Sequence, residues 1–226
     1  MKSKAILIGN SDGIGLATTR ELLNRGWQVV GISRSGSPVE HVDYRHIVAD
    51  VQDDRYPSSL KSVLDQAPVD LCIYCVGIGE LLDLSDMERE VQIVDVNLLG
   101  MVKTAAVVIP PMVDRGRGHF IGISSLADAM LAPEAPSYSA SKAGFSIYLE
   151  SLALALKPKG VHVTNVRFGF VDTKMAKGDK KPFMMPVERA VQHLLKCMEK
   201  KPIRHTAPRF VIPLVRFRSW MLRLGV

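Results

Sequence analysis

KAILIGNSDGIGLATTRELLN, residues 4–24, decides the fold. The apolar run from Lys4 to Ile8 passes without a linker into a loop with glycine at positions 9, 13 and 15, and the loop opens into a segment of helical length, Ile14 to Asn24. Strand, glycine loop and helix in this order let the backbone turn tightly and leave the free N–H groups of the first helical turn facing the loop, which suits a phosphate. A plain turn from strand to helix does not need three glycines in seven residues. Gly9, Ser11, Gly13, Ile14 and Gly15 are therefore the expected contacts of a dinucleotide pyrophosphate.

The same alternation continues outward from this unit. Strands are expected at Lys4–Ile8, Gln28–Ser33, His46–Ala49, Val69–Tyr74, His119–Ile123 and Val161–Phe168, with helices at Ile14–Asn24, Pro57–Gln66, Met87–Val113, Tyr138–Leu156 and Val187–Lys200. Strand after helix after strand predicts an α/β fold, a doubly wound parallel sheet with helices on both faces. The strands read as nearly continuous apolar runs, as strands buried on both sides must. In such sheets ligands bind beyond the carboxyl ends of the strands, where the strand order reverses.

Length and composition bound the rest. The 226 residues suit one core, so residues 1–226 are read as a single domain. Ala5 to Ile8 is too short for a secretory signal and Ala105 to Met112 falls short of a membrane span, so a soluble, cytoplasmic protein is expected. Cys72, Cys75 and Cys197 make no disulfide framework and fit a reducing compartment; Cys72 and Cys75 lie in an apolar, strand-like run, as core residues rather than metal or redox ligands. Residues 1–173 carry 16 Lys/Arg against 20 Asp/Glu, whereas residues 174–226 carry 13 against 3. The basic charge is local to the C-terminal part, which argues against a nucleic-acid-binding protein.

The spacing G-x-x-x-G-x-G resembles the glycine signature of the short-chain dehydrogenase/reductase superfamily, and motifs further along extend the resemblance over almost the whole chain. After the second strand comes Ser33-Arg34. An acid there would accept from a free ribose 2′-OH, while an arginine favours a 2′-phosphate, so NADP(H) is expected over NAD(H). Asp50-Val51 resembles the family's adenine contact. Gly77 matches the end of its fourth strand, although Tyr74, Cys75 and Ile8 replace polar residues that tie the first and fourth strands together there. That exchange implies an apolar form of the link. Val171 and Thr173 resemble the segment that binds the nicotinamide carboxamide, with Phe168 in place of a proline.

Asn97, Ser125, Tyr138 and Lys142 match the family's catalytic set in order and in setting. Their roles also follow from the chemistry. Hydride arriving at a carbonyl puts negative charge on its oxygen, so a proton donor (Tyr138) and a hydrogen-bond donor (Ser125) are needed. Tyr138 and Lys142 stand four apart, on one helix face, where an ammonium would lower the phenol pKa. The resemblance further implies that Lys142 and Tyr138 hold the nicotinamide ribose and that Asn97 positions a water for proton relay.

Residues 174–186 fall where the family closes over its substrate. Met175, Phe183, Met184 and Met185, with Gly178 as a hinge, suit an apolar or amphipathic carbonyl or alcohol; equally, they could pack beneath the loop. The tail, residues 209–226, holds four arginines, no acid and many apolar residues. It could dock on the protein's own sheet or a partner subunit, the expected outcome in a homo-oligomer, or lie on an anionic membrane surface. The reading is a carbonyl–alcohol oxidoreductase. A non-catalytic NADP(H) sensor and a membrane-associated platform are the alternatives.

Overall fold

The computed structural model describes residues 2–176 and 183–225. The expected hinge at Gly178 lies outside the described residues.

Seven strands form one parallel sheet: β1 (Lys4–Ile8), β2 (Gln28–Ser33), β3 (Tyr44–Val48), β4 (Leu71–Tyr74), β5 (Gly118–Ser125), β6 (Val161–Phe168) and β7 (Arg204–Ala207). Their order is β3-β2-β1-β4-β5-β6-β7, so the reversal expected of a doubly wound sheet falls between β1 and β4. Side chains alternate along each strand. From β1, Ile6 and Ile8 enter one core with Tyr56, Leu60, Val108 and Phe145, while Ala5 and Leu7 enter the other with Leu22, Leu23, Ala190 and Leu194. Full burial of Ile6, Leu7 and Ile8 is worth about 1.5–3 kcal/mol for each side chain.

Helices α1 (Gly13–Asn24) and α6 (Val187–Lys200) supply the second core. The first takes α2 (Tyr56–Leu64), α4 (Gly100–Asp114) and α5 (Pro136–Leu156). The junction of β1 with α1 explains two of its glycines. Gly9 has φ +82°, and a Cβ on Gly15 would lie 2.1 Å from the Gly9 carbonyl oxygen. Only bare backbone lets the helix start so close to its strand.

The run expected as one helix from Met87 is jointed. A short α3 (Glu88–Val94) enters a π-helical turn, Asp95–Leu99, before α4 continues the axis. Inside that turn the Tyr74 hydroxyl donates to the Val96 carbonyl at 2.8 Å. By length and composition Glu88–Asp114 could cross a membrane, contrary to the limit drawn from Ala105–Met112, but half of its apolar window is buried within the fold.

Other boundaries also differ from expectation. β3 starts at Tyr44 rather than His46, β4 at Leu71 rather than Val69, and α5 at Pro136 rather than Tyr138. β7 was not expected at all: it is a four-residue strand at the edge of the sheet, begun by Arg204 and His205, with no apolar run to reveal it. Helix α7 (Ile212–Arg223) forms the tail and docks on the protein's own body. The Ser219 hydroxyl accepts from the Leu131 N–H at 2.9 Å, and Arg218 pairs with Glu134 at 3.0 Å.

Candidate active site

Asp12 caps α1, its carboxylate accepting from the Gly13 N–H at 2.7 Å. Across from it, Thr173 packs so near Gly13 that an added Cβ would lie 3.2 Å from the Thr173 methyl. The glycine loop and the segment after β6 therefore meet. Val171 is buried and bridges to Met185, which holds the segment in place. Ser11 and Ile14 lie partly exposed in the loop, and Ser35 donates to the Ser11 hydroxyl at 3.1 Å. Arg34, directly after buried Ser33, is exposed. Asp50 accepts from the Gln52 N–H at 3.0 Å, and Val51 packs its side chain against Gly100.

The link between β1 and β4 is backbone and apolar, as the loss of the usual polar residues implied. Cys75 N–H donates to the Ile8 carbonyl at 2.8 Å, and a Cβ on Gly9 would lie 2.8 Å from a Val76 methyl. Burial pushes the Cys75 thiol up to about 12, so it stays protonated at neutral pH.

Asn97 sits in the π-helical turn, fully buried. Its amide donates to the Ile78 carbonyl at 2.9 Å and to the Ser141 hydroxyl at 3.1 Å, and its carbonyl accepts from the Ile78 N–H at 2.8 Å. It thus clamps the loop after β4 to the start of α5. A Cβ on Gly77 would come within 3.3 Å of Lys142 Nζ and 3.5 Å of Asn97 Oδ1; one on Gly79 would lie 3.1 Å from the Tyr138 ring. Two separated segments, the π-helical turn and α5, converge on two glycines. The Glu90 carboxylate accepts from the Ser137 N–H at 3.1 Å, which fixes the start of α5 just ahead of Tyr138.

Lys142 Nζ lies 5.9 Å from the centroid of the Tyr138 ring and donates to the Ile123 carbonyl at 3.1 Å. Burial pulls its pKa down to about 8, against the opposing charge of Asp128. Because the folded value lies below the model-compound 10.5, the unfolded chain binds the proton more strongly between those two values. Burial of this ammonium therefore destabilises the fold at neutrality, and the penalty lifts as pH rises through that window.

Tyr138 corrects one expectation. Burial raises its pKa, and the group that opposes this is the Ser125 hydroxyl rather than Lys142. The ammonium is directed at the Ile123 carbonyl, so the lysine and the phenol are neighbours without a direct hydrogen bond. Ser125 also accepts from the Ala127 N–H at 3.2 Å, which orients its side chain at the end of β5.

A glycine loop at the β1/β4 reversal, with Asn97, Ser125, Tyr138 and Lys142 gathered beside it, is matched by sequence: residues 3–182 fit the profile of the short chain dehydrogenase family. The chain belongs to that family. As a short-chain dehydrogenase it is 30% identical over 200 residues to the very-long-chain 3-oxoacyl-CoA reductase of Anas platyrhynchos, covering 80% of this chain and 64% of the relative. This chain thus spans less than two thirds of that reductase's length. It is 31% identical over 207 residues to an uncharacterized oxidoreductase of Myxococcus xanthus, covering 83% and 80% of the two chains. Among solved structures, a short chain dehydrogenase from Burkholderia cenocepacia in complex with NADP superposes with a TM-score of 0.87 at 22% identity, over 100% of this chain and 98% of that one.

Two features of this short-chain dehydrogenase escape a reading of the sequence. Asp12 pairs with Lys174 at 2.8 Å across the mouth between the glycine loop and the segment after Thr173, and hydrogen bonding to Lys174 holds the Asp12 carboxyl below its ordinary range. Beneath the Arg34 loop runs a polar relay. The Asn10 amide donates to the Tyr44 hydroxyl at 2.7 Å, and that hydroxyl meets His46 Nδ1 at 2.9 Å. The Ser35 carbonyl can only accept, which places the hydrogen of a neutral His46 ring on Nε2 and leaves Nδ1 to accept from the phenol. His46 Nε2 then carries the hydrogen and donates to the Ser35 carbonyl at 3.0 Å, which also accepts from Ser33 at 2.9 Å. Gly31 leaves room for the relay, since a Cβ there would lie 2.1 Å from the Asn10 amide nitrogen.

Tyr44→Phe keeps the ring and removes both hydrogen bonds. We expect a stability loss of about 1–3 kcal/mol, since the buried Asn10 amide loses its shortest partner. Urea unfolding measures it, and an unchanged midpoint would show that the relay is idle.

Proposed function

We propose that this short-chain dehydrogenase interconverts a carbonyl and an alcohol with NADP(H). What carries the reading is the convergence of Lys142 and Asn97 on the bare backbone of Gly77 and of Tyr138 on that of Gly79, with Ser125 at the Tyr138 hydroxyl. The residues so gathered suit a nicotinamide dinucleotide. Gly9, Ser11, Gly13, Ile14 and Gly15 would hold its pyrophosphate, Asp50 and the Val51 backbone its adenine, and Val171 and Thr173 its carboxamide. When bound, the cofactor supplies or accepts the hydride.

The protein's own residues do the rest. In the reducing direction Tyr138 gives its phenolic proton to the carbonyl oxygen as negative charge develops there. Ser125 hydrogen-bonds to the same oxygen and, afterwards, to the phenolate. Lys142, one turn from Tyr138 on α5, would hold the nicotinamide ribose, and Asn97 keeps Gly77 and α5 in register. Met175, Phe183 and Met184, all exposed at the segment after β6, favour a substrate with an apolar chain. The name of the Anas platyrhynchos relative, a reductase of very-long-chain 3-oxoacyl-CoA, agrees with that choice.

The preference for NADP(H) rests on Arg34, exposed after β2 with the Ser11 and Ser35 hydroxyls beside the same loop. Arg34→Ala should weaken NADPH about 10- to 100-fold, the equivalent of losing one or two charge-assisted hydrogen bonds, and leave NADH nearly unchanged. Fluorescence titration with both cofactors checks it, and equal weakening of the two would refute the assignment. The function itself is tested by loss of nicotinamide absorbance with NADPH and a panel of medium- and long-chain ketones, aldehydes and 3-oxoacyl thioesters.

A further inference from the structure

Helix α7 has two apolar stripes, and the fold uses only one. Ile212, Val215, Ser219 and Leu222 follow helical spacing and face the protein, where Ser219 is the buried centre. On the opposite face Pro213, Phe217, Trp220 and Leu224 recur at intervals of four, three and four residues and are exposed. The large side chains of this face, with Phe210 before it and Leu214 beside it, are between 53% and 64% exposed, and the Phe217 and Trp220 rings adjoin at 5.9 Å. The patch continues toward the active-site side, because exposed Phe183 meets Phe210 edge-on at 5.0 Å. A soluble surface rarely leaves so many large apolar groups together.

Charge narrows the choice of occupant. Arg216 and Arg223, seven residues apart, lie along one flank of the exposed stripe, and Arg209 precedes it. None of the three has an acidic partner among the described residues, and residues 209–226 contain no Asp or Glu. A second copy pairing through this stripe would bring arginine against arginine with no acid in the helix to offset it. A surface that is apolar beneath and anionic above meets both requirements, with the rings among the acyl chains and the guanidinium groups at the headgroups.

We propose that the exposed face of α7, together with Phe210 and Phe183, seats this protein peripherally on an anionic lipid bilayer. Docking on the body and lipid contact do not compete, since they use opposite faces of one helix. The surface stands whether or not the reductase reading holds.

The experiment is co-sedimentation of the full chain with phosphatidylcholine vesicles, with and without about one third phosphatidylglycerol. Binding to the anionic vesicles is expected, with at least about a tenfold drop in partitioning when the anionic lipid is removed. Phe217→Ser combined with Trp220→Ser should lose the binding, and both sites are exposed enough for the fold to persist. Should that variant unfold, Arg216→Gln with Arg223→Gln decides, with an expected drop of about tenfold or more. Failure of the unaltered chain to sediment with anionic vesicles would overturn the proposal. So would binding that neither pair of substitutions weakens, or a Phe217/Trp220 variant that breaks an oligomer in size-exclusion chromatography while vesicles leave both forms in solution.

Discussion

Tyr138→Phe is expected to lower turnover about 10²- to 10⁴-fold while leaving NADPH affinity within about twofold, the range associated with losing a positioned acid. The substitution deletes one oxygen from a ring held between Gly79 and the start of α5, so packing is kept. What disappears is the hydroxyl beside Ser125 that would pass a proton to a substrate oxygen. The physical cost of the native arrangement points the same way. Burial raises the phenol pKa, which keeps it protonated at neutrality, as a donor in the reducing direction must be. In the oxidising direction the phenolate is needed, so that rate should climb with pH until the phenol titrates. Steady-state kinetics of the two forms, with a fluorescence titration for NADPH, make the check. A variant that keeps more than about one tenth of wild-type turnover would sink the assignment of Tyr138 as the acid.

Asp128→Ala is expected to destabilise the fold by about 3–5 kcal/mol, the characteristic loss when one half of a buried ion pair is removed. Asp128 binds Arg167, and the two side chains are only 6% and 5% exposed. Its second oxygen accepts from Ser146 at 2.6 Å, and Ser146 in turn meets Ser124 at 2.8 Å. Taking the carboxylate away leaves a guanidinium buried without its countercharge and breaks the hydroxyl chain. At about 2–4 °C per kcal/mol for a chain of this size, the melting temperature should fall by roughly 6–20 °C. The change should also be felt in the active site. Asp128 is the first of the groups that hold the Lys142 ammonium up against desolvation, so its loss should carry the lysine pKa below about 8. Calorimetry reads the first effect and the pH profile of turnover the second. A melting temperature within about 2 °C of the unaltered protein would mean that water reaches Arg167 and that the pair is not a buried one.

How much of this was legible before the chain was folded differs from residue to residue. The glycine loop could be read because its chemistry is local: Gly9, Gly13 and Gly15 lie within seven residues of one another, directly after a strand. Asn97, Ser125, Tyr138 and Lys142 could be named as a set because they match, in order, the catalytic motif of the family that the chain resembles. The same reading went astray where a neighbour came from far along the chain. It made Lys142 the group acting on the phenol pKa, whereas the Ile123 carbonyl takes the lysine's hydrogen bond and Ser125 attends the phenol. It missed β7, whose polar residues are strand only because β6 is there to pair with them.

For this protein the sequence by itself determined the alternation of strands and helices, the bare loop before α1 and the residue types at each strand end, because those follow from periodicity and from φ angles that glycine alone adopts readily. Only the tertiary structure decided which charges meet. Asp12 found Lys174, Asp128 found Arg167, and Asn10 reached His46 through Tyr44, because a parallel sheet brings together the ends of strands that lie far apart in sequence. It also decided which face of α7 is spent on the body. Both stripes are apolar, and Ser219 marks the docked one only because Leu131 offers it a backbone N–H.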